Sequence, residues 1–211
     1  MKLTKAVFSK LNKKQKQSLG DILLFMLATV IFHILYWYSD MNFWLFGPFT
    51  YEVFDFFTNI AFNISRWVMS LFDTDFLIHG RTFWFYYIDA NGIERFFRSM
   101  TIVHDCSGIK QMMQVFIFML LVRGNWWKRL VYWLCCCLVI IVLNVVRIVG
   151  LTVILIHYPN WFQPLHDWVG RPFMYVFIFL MWVVWTEFFA RRSLTHKAHG
   201  SNLTSQRGIK F

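Results

Sequence analysis

Charge is scarce in this chain. Of its 211 residues only 15% are Asp, Glu, Lys or Arg, against about 25% in an ordinary soluble domain. With 58% hydrophobic residues, 21% aromatics and a mean hydropathy of +0.48, a conventional solvated surface is excluded and a lipid solvent is implied. Metal-ligand spacings are missing too. No CxxC or HExxH occurs, so neither a metal nor a cofactor is expected. There is no internal repeat and no low-complexity tract. No small-x-small cleavage site follows the first apolar run, which is expected to stay as an uncleaved anchor. Cysteine is rare, and three of the four, Cys135, Cys136 and Cys137, are consecutive. They read as packing residues, which leaves Cys106 alone.

What charge there is has a pattern. Six Lys/Arg lie in residues 1–20, three in 122–130 and five in 190–211. Fourteen of the 21 basic residues therefore flank apolar runs, the mark of cytoplasmic loops and not of a nucleic-acid footprint. A spanning helix needs roughly 20 mostly apolar residues. Residues 21–38, 130–157 and 172–189 qualify, and 106–122 make a shorter fourth. Residues 50–72 are aromatic, but Glu52, Asp55, Asn59, Asn63 and Arg66 recur every three or four positions. Such spacing fits an interfacial or re-entrant helix. With four spans, all three basic segments face the cytoplasm. Residues 39–105, with eight acids against four bases, then lie outside it. Within them "RTFWFYYIDANGIERFFRSMTI" reads as a β-hairpin turning at Asn91-Gly92 in a two-residue type I′ turn. The expected fold is an all-α integral membrane bundle, one domain over 1–190, with a small extracytoplasmic hairpin. A disordered cytoplasmic tail is expected over 191–211.

Chemistry gathers on the outer face of that topology. In "MTIVHDCSGIKQMMQVF" Cys106 opens a membrane helix, where free N–H groups, the helix dipole and Lys110 favour a thiolate. His104 stands just before it. Ser107, Lys110, Gln111 and Gln114 share a face, which implies a wet cavity or a protein neighbour. Arg147 is about 25 Å along its helix from Leu130, near the outer boundary, with Asn144 on the same side. An arginine there either snorkels to the headgroups or works. The following segment, "HYPNWFQPLHDWVGRP", is expected to be an outer loop carrying His157, His166 and Asp167, re-entering at Pro172. Thiolate, imidazole and guanidinium are the parts of an acyl transfer: nucleophile, base and oxyanion stabiliser.

"CSGI" at 106–109, "NVVR" at 144–147 and a histidine in the next outer segment together resemble the exosortase/archaeosortase family over roughly residues 100–190. The resemblance implies a membrane-embedded cysteine transpeptidase or protease of the cytoplasmic (inner) membrane, its site facing outward. It would cleave C-terminal sorting tails of exported proteins, with possible transfer to a lipid-linked or amine acceptor. It assigns Cys106 as nucleophile, Arg147 as charge stabiliser and His166 as base, with His157 the alternative base; Asn144, Lys110, Ser107 and His104 are the supporting residues of the same face. Two other readings compete. One is a non-enzymatic assembly partner of a surface-polysaccharide or secretion system. The other is a lipid phosphatase, whose "PSGH" the "CSG" echoes. However, no histidine follows Gly108, and Val153 stands six residues after Arg147, where the phosphatase pattern needs a histidine.

Overall fold

The structure, a computed structural model, describes residues 13–39, 47–72, 76–90, 92–121 and 125–190. The tip of the basic N-terminus, residues 122–124 and the tail 191–211 lie outside the described residues, as does Asn91 of the expected turn. Two compact units are present, Met1–Gly47 and Pro48–Phe211. The first holds one helix, α1, Lys13–Tyr38, whose apolar stretch is Ile22–Tyr38. Leu23, Met26, Leu27, Val30 and Ile34 are all exposed, so much of its surface is apolar. Water does not favour such a surface, whereas lipid does.

The second unit is ordered α2 (Thr50–Met69), β1 (Phe76–His79), β2 (Thr82–Ile88), β3 (Glu94–Thr101), α3 (Ile109–Leu121) and α4 (Trp126–His157). After α4 come α5 (Pro159–Leu165), a π-helical segment (His166–Gly170), α6 (Arg171–Val184) and a second π segment (Trp185–Ala190). Helix α4 is the axis. Its 32 residues span about 48 Å, more than the ~30 Å of bilayer hydrocarbon. Asn125 caps its start by accepting from the Trp127 N–H at 3.0 Å. Its outward stripe of Val131, Leu134, Leu138, Val142 and Val146 is exposed and wholly apolar. Among the described residues two helices, Trp126–His157 and Pro159–Phe188, are long and apolar enough to cross a membrane, and Ile109–Leu121 is a shorter apolar helix.

Helix α2 has three faces. Phe54, Thr58, Ala61, Phe62, Ser65 and Met69, at helical spacing, are buried. Glu52, Asn59, Asn63 and Arg66 form an exposed polar side, while Phe56, Ile64 and Trp67 are exposed and apolar. The buried face joins the inner face of the sheet and the later turns of α4 in one core of Phe62, Met69, Phe83, Phe85, Met100, Ile102, Val145, Ile148 and Leu151. Phe83, fully buried, stacks on Phe62 at 5.1 Å between centroids and meets Phe76 edge-on at 5.4 Å. Each aromatic pair adds about 0.5–1.5 kcal/mol beyond area burial.

The sequence expectation needs correcting at two places. The single hairpin is part of a three-stranded antiparallel sheet of order β1-β2-β3. The β2–β3 connection is not a two-residue turn. The Asp89 N–H donates to the Ile93 carbonyl (3.0 Å) and the Gly92 N–H to the Asp89 carbonyl (2.9 Å), with Gly92 at φ 75°. That is a three-residue loop closed by a left-handed glycine. The expected outer loop after α4 is also helical. Only Tyr158 interrupts the helices between Trp126 and Ala190. The prolines misled because Pro159 opens a helix, where a missing N–H costs nothing, while Pro164 and Pro172 are carried inside the helical course.

Candidate active site

The site is built where the sheet hands the chain to α3. Thr101 and Thr82 share a hydroxyl hydrogen bond of 2.9 Å, and the Ile102 N–H donates to the Arg81 carbonyl at 3.0 Å. Ile102 is buried. The chain then makes a 3-10 turn, His104–Cys106, closed by the Cys106 N–H on the Val103 carbonyl and the Ser107 N–H on the His104 carbonyl. Helix α3 begins only at Ile109. The sequence placed Cys106 at the helix terminus itself; it sits in the turn before, and its own N–H is used. Gly108 is the reason. Its φ of 80° bends the backbone into the left-handed region, and a Cβ there would lie 3.4 Å from Ile140 Cγ2.

Helix α4 holds the other side of this turn. The Asn144 amide, buried, donates to the Cys106 carbonyl. The thiol is half-buried, unpaired with any other cysteine, and packs against the core shared by α2, the sheet and α4. One turn beyond Asn144, the aliphatic stem of Arg147 runs along Gly170, where an added Cβ would sit 3.7 Å from Arg147 Cδ. Arg147 Nε is buried and has no hydrogen-bond partner among the described residues. Arg98 Nε and Arg129 Nε are in the same state, so what sets Arg147 apart is its place against Gly170.

His166 is the first residue of the π segment. Such segments recur at functional sites. Its ring stacks on Phe162 at 6.0 Å, and Phe162 packs on the same core as Cys106. Its Nδ1 lies 3.0 Å from Asp167 Oδ1, while Asp167 also accepts from Gln163 at 2.8 Å and lies 3.5 Å from Arg171. Those hydrogen bonds, from His166 first, then Gln163, outweigh desolvation and hold the Asp167 carboxyl below the usual carboxylate range. With Nδ1 on the carboxylate, Nε2 is the nitrogen left for chemistry. Lys110 lies within electrostatic range of both Asp105 and Arg171. Cys106, Arg147 and His166 thus belong to one end of the bundle, although no direct hydrogen bond joins them among the described residues.

The supporting residues divide. Ser107 is buried, its hydroxyl accepting from the Ile109 N–H at 3.4 Å. Gln114 is also buried, and Gln114 Nε2 and Gln111 Oε1 are orphaned among the described residues. The polar face of α3 therefore turns inward. His157, the last residue of α4, is exposed with its ring 6.5 Å from that of Tyr158. His104 is occupied elsewhere, 3.4 Å from Asp55 Oδ1, which Arg81 also reaches at 2.6 Å. Asp55 and Arg81 escaped the sequence reading, although Asp55 lay on the polar stripe already noticed on α2. Among the described residues no cluster of His, Cys, Asp or Glu could hold a metal.

Apolar outer faces around a buried polar end define a membrane protein. The chain belongs to the transmembrane exosortase family, whose family model (transmembrane exosortase, Exosortase_EpsH) matches residues 19–184. No curated protein and no solved structure matches the chain. Its family is one of membrane transpeptidases, generally cysteine enzymes.

Proposed function

We propose that the protein is a multi-pass cytoplasmic-membrane cysteine transpeptidase or protease that cleaves C-terminal sorting tails from exported proteins. In this reading α1, α3, α4 and α6 with the π segment after it span, α2 and the sheet cover the outer end, and the site faces outward. The observation that carries it is that one helix, α4, grips the Cys106 carbonyl with Asn144 and, one turn on, lays Arg147 along Gly170, at the end of the π segment that His166 opens. His166 Nε2 takes the thiol proton, and Sγ attacks the scissile carbonyl carbon. Arg147 donates to the oxygen as it gains charge. The C–N bond breaks, His166 returns the proton to the departing amine, and a thioester remains. An amine acceptor or water, deprotonated by His166, attacks the thioester and regenerates the thiol.

The test uses an exported reporter ending in the sorting tail of a co-encoded protein. Cys106→Ala should abolish processing, and so should Cys106→Ser, because a hydroxyl needs far stronger activation than a thiol. An inserted, stable Cys106→Ala protein that still processes the tail overturns the reading. Full tail processing by Cys106→Ser would show that the step does not need a thiolate.

A further inference from the structure

The Cys106 turn has a second set of holdings, on the side away from Asn144. His104 opens the turn, and its ring lies against Tyr51 and Phe54 of α2, at 6.5 and 6.4 Å between centroids. Its Nε2 reaches Asp55 Oδ1 at 3.4 Å. The same oxygen takes Arg81 Nη2 at 2.6 Å, and Oδ2 accepts from Asn59 at 3.0 Å. Arg81 belongs to the β1–β2 turn, and its carbonyl holds the Ile102 N–H. One carboxylate on α2 thus joins the helix, the sheet turn and the residue two before the thiol. Burial pushes the Asp55 carboxyl up, but the hydrogen bonds from His104 and Arg81 and the Arg81 charge outweigh it, and the group stays ionised.

The arrangement is poorly explained by stability alone. Asp55, His104 and Arg81 are 45%, 39% and 31% exposed, so as surface ion pairs they contribute little. They do determine where the turn sits. In a 3-10 turn, residues two apart point to different sides, so the His104 ring is fixed on α2 while the Cys106 thiol is turned away from it, toward the core and α4.

We infer that Asp55, through His104, is a positioning residue of the acyl-transfer site: a latch that clamps the Cys106 turn to α2 while Asn144 clamps it to α4. The inference rests on Cys106 being the nucleophile. With both clamps engaged, the thiol has one approach to a carbonyl held by Arg147. With the α2 clamp gone, the turn pivots on Asn144 and Gly108. Displacement of a reacting group by about 1 Å can cost about 10²-fold in rate without weakening substrate binding.

The test uses the full chain in intact cells. Asp55→Asn and His104→Gln should each lower the turnover of the sorting-tail reporter about 10- to 100-fold, with KM little changed. The double variant should lose no more than the worse single, because both remove one latch. A second readout needs no substrate. Modification of Cys106 by a membrane-impermeant alkylator should rise in both single variants and no further in the double, as the half-buried thiol is released. If Asp55→Asn fails to insert, His104→Gln breaks the same contact from the other side and decides. Multiplicative losses, an effect confined to KM, or unchanged alkylation in either inserted variant overturns the latch. Those outcomes leave the nucleophile assignment standing, since Cys106→Ala would still abolish processing. Coupled alkylation changes in a protein that processes no tail would instead keep the latch and remove the proposed function.

Discussion

Arg147 separates two physical roles at the scale of one side chain. A snorkelling arginine ends in water with its donors solvated. This one has its stem on Gly170, at the end of the segment that presents His166. Lysine would preserve the charge but not the planar fork, and would put a methylene in place of the Nε donor. Arg147→Lys should therefore lose most processing activity while inserting at the normal level, as read by the reporter and by membrane abundance. A fully active Arg147→Lys protein would reduce the mechanism to a Cys–His pair.

At the scale of an element, the π segment His166–Gly170 decides how the histidine is presented. Its carboxylate partner is the next residue, an arrangement that positions His166 through the conformation of the segment itself. The Asp167 carboxyl ionises below its ordinary value of 3.8, chiefly through the His166 hydrogen bond. Its stabilising contribution is therefore present above that value and is lost only as the pH falls through the depressed one. Wild-type processing between about pH 5 and 8 should show no step from Asp167. Asp167→Asn should lower activity across that whole range by less than His166→Ala does, and the latter should cost about 10²–10⁴-fold. A pH–rate profile of the two variants checks both statements. An Asp167→Asn enzyme as active as wild type would mean that Phe162 stacking alone orients the ring.

For the whole molecule the question is which side the site faces. Lys128 and Arg129 lie at the start of α4, whereas α2 and the sheet pack on its later turns. Basic residues prefer the cytoplasmic side, so the Cys106 end should be outside. Topology reporters fused at Gly124 and Gly200 should read inside and one at Gly92 outside. A Gly124 fusion reading outside would invert the bundle and put Cys106 where no exported tail reaches it.

Composition and charge placement by themselves determined the solvent, because lipid selects against charge at every position of a spanning run. They also marked Asn144 and Arg147, because polar groups are costly in apolar helices, and Cys106 as the lone thiol at a helix boundary, whereas the choice of His166 came from the family resemblance. Helix periodicity even singled out the polar stripe carrying Asp55. What it could not contain is the partner of that stripe. Asp55 meets His104 across 49 positions of chain and Arg81 across 26, and no local pattern encodes such pairings. The third strand, the three-residue loop and the helical course through His166 were also tertiary decisions. Gly92, Pro159 and Pro172 each permit more than one backbone path, and none of them selects among those paths by itself. The thiol's final position belongs to the same class. Its identity is local, but its orientation depends on an amide from α4, a glycine seated against Ile140 and a carboxylate on α2, which only the folded chain brings to one turn.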